Sequence, residues 1–171
     1  MTDSALNLLG VDLDQTYSAS AAGNVDLPYA QGEPVSTKNG KAILVKAVSG
    51  TPQYSLVMYG PSSAAASAST ICVLASLTNA TSGRLYAVAQ TSIASAEYGW
   101  VHTECTKEGR ILCTTAEMGV PLFLTGTGGQ VDDAVTSGKA LANLFIQASV
   151  TSASAPPAIW SNITLDRSTI A

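Results

Sequence analysis

Between residues 35 and 48 the chain reads VSTKNGKAILVKAV, two apolar-rich segments joined through Lys38-Asn39-Gly40. Asn-Gly between such segments is the strongest short-range signal for a two-residue β-hairpin, because both residues tolerate a positive φ at little cost. The same grammar, a short apolar run followed by a turn signal, recurs along the chain. Tyr54–Tyr59 is bounded by Thr51-Pro52 and Gly60-Pro61, and Ile71–Leu77 ends at Thr78-Asn79. Arg84–Gln90 alternates, with Leu85, Ala87 and Ala89 on one face and Tyr86 and Val88 on the other. Tyr98–Thr106 and Arg110–Thr114 flank Lys107-Glu108-Gly109, which predicts a second hairpin with Gly109 at its turn. Val120–Thr125, Asn143–Val150 and Ile159–Asp166 bring the expected strands to about nine.

Helical alternatives are weak. Residues 62–76 are rich in Ala, but their serines and β-branched residues disfavour a helix, so a loop leading into a strand is expected. Ala134–Leu144 has room for one helical turn, weakened by Gly138. With no βαβ alternation and no long amphipathic helix, the sequence predicts an all-β fold. Its form is a small antiparallel β-sandwich or β-barrel spanning 32–171, preceded by an extended N-terminal arm or first strand over 1–31. The stretch Thr16–Asn24 is small, polar and without period, which suits either disorder or an arm ordered against a partner.

At 171 residues and 46% hydrophobic, the chain can bury its core without a metal or disulfide. Only 12% of residues are charged, about half the usual share, so Ser, Thr, Asn and Gln must cover much of the surface. A net charge of −4 with scattered Lys and Arg offers no basic stripe for phosphates, which argues against nucleic acid. No run approaches the ~20 apolar residues of a membrane span, and MTDSALNLLGVDLD lacks the basic flank of a secretory signal. Cys72, Cys105 and Cys113 have no CxxC spacing and are expected as free thiols in a reducing compartment. Packed thiols are also preferred to a Cys105–Cys113 bond.

Catalytic constellations are wanting. His102 is the single imidazole, so any Ser-His or Cys-His mechanism must use it. On a regular strand Tyr98, Trp100 and His102 share one face while Val101, Thr103 and Cys105 share the other, which separates His102 from Cys105. No GxSxG elbow is present. Asp12 and Asp14, and the pair Asp132-Asp133, lack the spacing of a calcium loop, and Gly126-Thr127-Gly128-Gly129 lacks the Lys of a phosphate loop and reads as a turn. No enzyme, metal or cofactor is expected.

Within 84–129 the order RLYAVAQTSI, then EYGWV, then Gly109, then RILCTTAEMGVPLFLTGTGG resembles the decoration, or cement, proteins of tailed-bacteriophage heads. The resemblance covers about 46 of 171 residues, and YGWV is its most specific element. It implies a virion protein made in the host cytoplasm. Such a protein binds the outer surface of the shell formed by the major capsid protein and stabilises it, as a homo-oligomer, trimer or dimer. On that view Trp100 belongs to the core. The residues expected to touch the shell are Leu8, Leu9, Val11 and Tyr17 of the arm, together with Trp160, although Leu8, Leu9 and Val11 equally suit a first core strand. A second reading is a carbohydrate-binding or host-contact module of a head fibre or tail. It would use exposed aromatics among Tyr17, Tyr29, Tyr54, Tyr59 and Trp160.

Overall fold

The computed structural model describes residues 13–18, 27, 29–61, 69–80, 84–135 and 139–166. Among these, Leu8, Leu9, Val11 and Asp12 do not appear, and the arm is represented by Leu13–Ser18, Leu27 and Tyr29 onward. The expected first hairpin forms. Strand β1 (Pro34–Thr37) pairs antiparallel with β2 (Gly40–Ala47), with Lys38 and Asn39 as its two-residue turn. Gly40 is required by close approach as well as by its φ of 149°, because a Cβ there would lie 2.6 Å from the carbonyl carbon of Glu104.

Eight further strands follow: β3 (Leu56–Pro61), β4 (Thr70–Leu74), β5 (Leu85–Ala89), β6 (Tyr98–Arg110), β7 (Leu122–Leu124), β8 (Val131–Asp132), β9 (Ala140–Ile146) and β10 (Pro157–Leu165). No helix occurs among the described residues, and the fold is all-β. Strands β2, β4, β3, β5 and β6 close on themselves through the β2–β6 pairing, giving a five-stranded barrel with one parallel contact, β2 to β4. A second sheet runs β6-β10-β9-β7-β8. Strand β6 belongs to both: its first half pairs with β2 and β5, its second half with β2 and β10.

Period-two alternation distributes side chains between separate cores. Ile43, Val45, Val57, Cys72, Ala87, Ala89 and Val101 point into the barrel. Leu56, Met58, Tyr86 and Val88, on the opposite faces of β3 and β5, pack against Leu122, Leu124, Leu141, Leu144, Ile146 and Trp160 of the second sheet. A third cluster lies outside β2 and β6, where Ala42, Leu44, Tyr98 and Trp100 are covered by Leu13, Tyr17, Leu27 and Tyr29. The Tyr29 ring meets Trp100 edge-on, centroids 5.7 Å apart. Trp100 is therefore core, as expected.

Two expectations change. The segment 98–110 is one continuous strand, so the predicted hairpin at Lys107–Gly109 does not form. The positive φ is carried by Glu108 (58°), and Gly109 serves a different need: a Cβ there would lie 2.6 Å from Trp160 Cη2. The Arg110–Thr114 segment continues past β6 without forming a strand; Cys113 makes isolated bridges to Val131 and Ser154. No helical turn forms in the described part of 134–144, and Gly126–Gly129 is a turn.

Candidate functional site

The reactive side chains are placed in the interior. Cys72, Cys105 and Cys113 are free and buried. Burial pushes the Cys72 thiol up to about 11, partly offset by a hydrogen bond with Thr51. Burial, reinforced by the charges of Asp132 and Asp133, pushes Cys113 up to about 12. Such thiols stay protonated and are poor nucleophiles. Cys105 donates its S–H to the Lys107 carbonyl at 3.0 Å. His102 is buried, 5% exposed, and its carbonyl accepts the Trp160 indole N–H at 2.9 Å. Between His102 and Cys105 the register with β2 shifts, Ala42 facing His102 but Lys41 facing Glu104. That bulge at Thr103 interrupts the strict alternation from which opposite faces were expected for the two side chains.

The expected contact residues fare differently. Tyr17 exchanges both backbone hydrogen bonds with Tyr98, each 2.8 Å, and its side chain packs on the Trp100 cluster. Trp160, expected at an exposed contact, is a core residue only 3% exposed. Its ring is large and apolar, and its single donor is satisfied internally, which is how a tryptophan is accommodated in a core. Tyr29, Tyr54 and Tyr59 are half-buried. Leu8, Leu9 and Val11 lie outside the described residues.

A concavity among the described residues lies instead on the outer face of β6, β10 and β9. It is an open groove of about 420 Å³ lined by Cys105, Thr106, Asn143, Phe145, Ile159, Trp160, Ser161 and Asn162. Two bulges create it. On the β6 side, Ala158 faces Gly109 and Trp160 faces Cys105, so Thr106, Lys107 and Glu108 stand opposite Ile159 alone. On the β9 side, Trp160 faces Leu144 and Thr164 faces Ala142, so Ser161, Asn162 and Ile163 stand opposite Asn143 alone. Extra residues interrupt the ladder and bend the strand.

Three of the five left-handed non-glycine residues among the described residues fall in these bulges: Glu108 in the first, Asn143 (φ 62°) and Asn162 (φ 49°) in the second. Asparagine tolerates this conformation better than most residues, since its short amide can bond to nearby backbone. The second bulge also resets the alternation. Ser161 and Asn162 are both exposed in succession, and Ile163 returns to the core at 1% exposure.

Phe145, cross-strand from Ile159, stands in the groove at 60% exposure. None of the eight lining residues carries a charge. Beside the groove, Glu104, the cross-strand partner of Ser161, is paired with Lys41 at 3.5 Å. The groove thus combines an aromatic face, amides and hydroxyls without net charge. Sequence reasoning missed it. Asn143 and Asn162, polar and turn-prone inside otherwise apolar strands, were the available signal.

No protein-family model, no curated protein and no solved structure matches this chain.

Proposed function

We propose that this protein is a non-enzymatic decoration, or cement, protein of a tailed-bacteriophage head. In this reading it binds the outer surface of the major capsid protein shell as a homo-oligomer, trimer or dimer. One observation carries the proposal. The segments that resemble such proteins, RLYAVAQ and YGWV, are neighbours in space: they form β5 and the start of β6, paired through Val88–His102 and Ala89–Val101. The likeness therefore falls on one contiguous piece of the barrel wall. The interior positions of His102, Cys72 and Cys113 also suit a protein whose surface serves contact rather than chemistry.

Lattice binding of this kind works by repetition. Each copy makes weak, polar contacts, and attachment through several symmetry-related copies multiplies their effect. A surface poor in charge and rich in Ser, Thr and Asn suits such contacts, because neutral hydrogen bonds are less sensitive to salt than ion pairs. The test is copy number in purified particles, measured by mass spectrometry against the most abundant shell protein. One copy per shell subunit, or per symmetric cluster of subunits, supports the reading. A handful per particle, or none, overturns it.

A further inference from the structure

We propose that the groove between the two bulges is a binding site for a neutral saccharide chain. This goes beyond the decoration role and does not depend on it. The chemistry of the lining selects the ligand class. Phe145 presents an exposed ring, and the apolar C–H face of a pyranose stacks on such a surface. Each asparagine amide offers two donors and an acceptor, and each hydroxyl of Ser161 and Thr106 offers both roles. That set matches the vicinal hydroxyls of a sugar, which are donors and acceptors at once. With no lining charge and Glu104 already paired to Lys41, nothing in the groove favours a phosphate, a nucleotide or an acidic peptide.

The shape agrees. A volume of about 420 Å³ lies within the usual range of small-ligand sites, and the groove is open to solvent. The asparagines are also held in advance. Left-handed backbone at Asn143 and Asn162 is fixed by the bulge, so little ordering is left for the ligand to drive. A protein partner would want a contiguous apolar core with aromatic anchors. Phe145 is the one large exposed hydrophobic in the groove, while Leu85, Met118, Val120 and Val135 do not line it.

The experiment is titration of the intact, isotope-labelled chain with cellohexaose, chitohexaose and maltohexaose, followed by amide NMR shifts. At least one of the three is expected to give saturable shifts centred on Thr106, Asn143, Phe145, Ser161 and Asn162, with an affinity indifferent to salt. Phe145→Ala should weaken that binding at least tenfold. Asn162→Gly, which keeps the left-handed backbone and removes the amide, should weaken it several-fold. Leu85→Ala, also exposed but outside the groove, should leave it unchanged. Saturable shifts elsewhere, no saturable binding of any of the three sugars, or binding indifferent to Phe145→Ala and Asn162→Gly overturns the proposal. So does a change of oligomeric state on Phe145→Ala without any sugar binding, which would mark the groove as a contact between copies.

Discussion

The indole of Trp160 lies so close over Gly109 that a methyl group on residue 109 would sit 2.6 Å from ring atom Cη2, and the same indole donates to the His102 carbonyl at 2.9 Å. Gly109 is therefore present for space, whereas Glu108 beside it carries the left-handed backbone. Gly109→Ala should destabilise the fold by about 1–3 kcal/mol through overpacking. Glu108→Gly should be neutral or stabilising by up to about 1 kcal/mol, because it relieves a positive φ. Urea denaturation of both variants checks the pair, and the opposite ranking would return Gly109 to a turn role.

Trp160 itself separates packing from hydrogen bonding. Trp160→Phe keeps most of the ring but removes the indole donor to the His102 carbonyl, at a cost of about 0.5–1.5 kcal/mol. Trp160→Ala should cost about 3–5 kcal/mol, the usual range for removing a buried tryptophan. A residue serving only an external contact would show neither loss in the isolated chain.

Gly99 faces Ile93 inside the barrel, with Ile93 Cγ1 2.6 Å from where a Cβ would stand. Gly99→Ala is expected to destabilise by about 1–3 kcal/mol. Ile93→Ala alone opens a cavity and also destabilises. Combined, the two should cost less than their sum, with a coupling of about 0.5–3 kcal/mol in a double-mutant cycle. Simple additivity would mean the barrel wall moves apart to make room.

Cys72 and Cys113 hold their protons more tightly folded than unfolded, with pKa values near 11 and 12 against an ordinary 9.0. Tyr86, pushed up to about 12 from 10.0 mainly by burial, acts in the same direction. The folded state then binds more protons than the unfolded one at alkaline pH. Stability should be unaffected by these groups below about pH 9 and should fall as pH rises towards 11–12, by up to about 1.4 kcal/mol per pH unit for each group. Denaturant midpoints across pH 8–11 read this out. A flat profile would mean these groups are solvated in the native state.

Removal of residues 1–18 tests whether the arm belongs to the domain. Tyr17 is tied to Tyr98 by two backbone hydrogen bonds, and Leu13 and Tyr17 cover the Trp100 cluster. The truncated chain should lose roughly 2–4 kcal/mol, from two partly buried side chains and two hydrogen bonds, and its tryptophan emission should shift to the red. Unchanged stability would mean that the arm takes its order from a partner alone.

Strand positions were largely legible because alternation is a local property: every strand except β8 overlaps a segment that the apolar pattern selects. What the pattern could not convey was partnership. Nothing local says that β2 meets β4 in parallel, or that β6 serves two sheets. The misread hairpin has the same origin. Lys107-Glu108-Gly109 has turn chemistry, yet a bulge uses the same residues, and only pairing with β10 across 106–108 decides between them. The groove was illegible for a related reason, since it depends on two register shifts in strands distant in sequence. Trp160 shows the limit of reasoning from composition: a large aromatic near the C-terminus looks exposed until the strand that buries it is known.

Sharing β6 between barrel and second sheet has a thermodynamic consequence. Neither lobe retains a complete set of strands without it, so neither has a way to melt alone. The amides of Tyr98–Arg110 should open only with the whole molecule, and heating should give one cooperative transition rather than two.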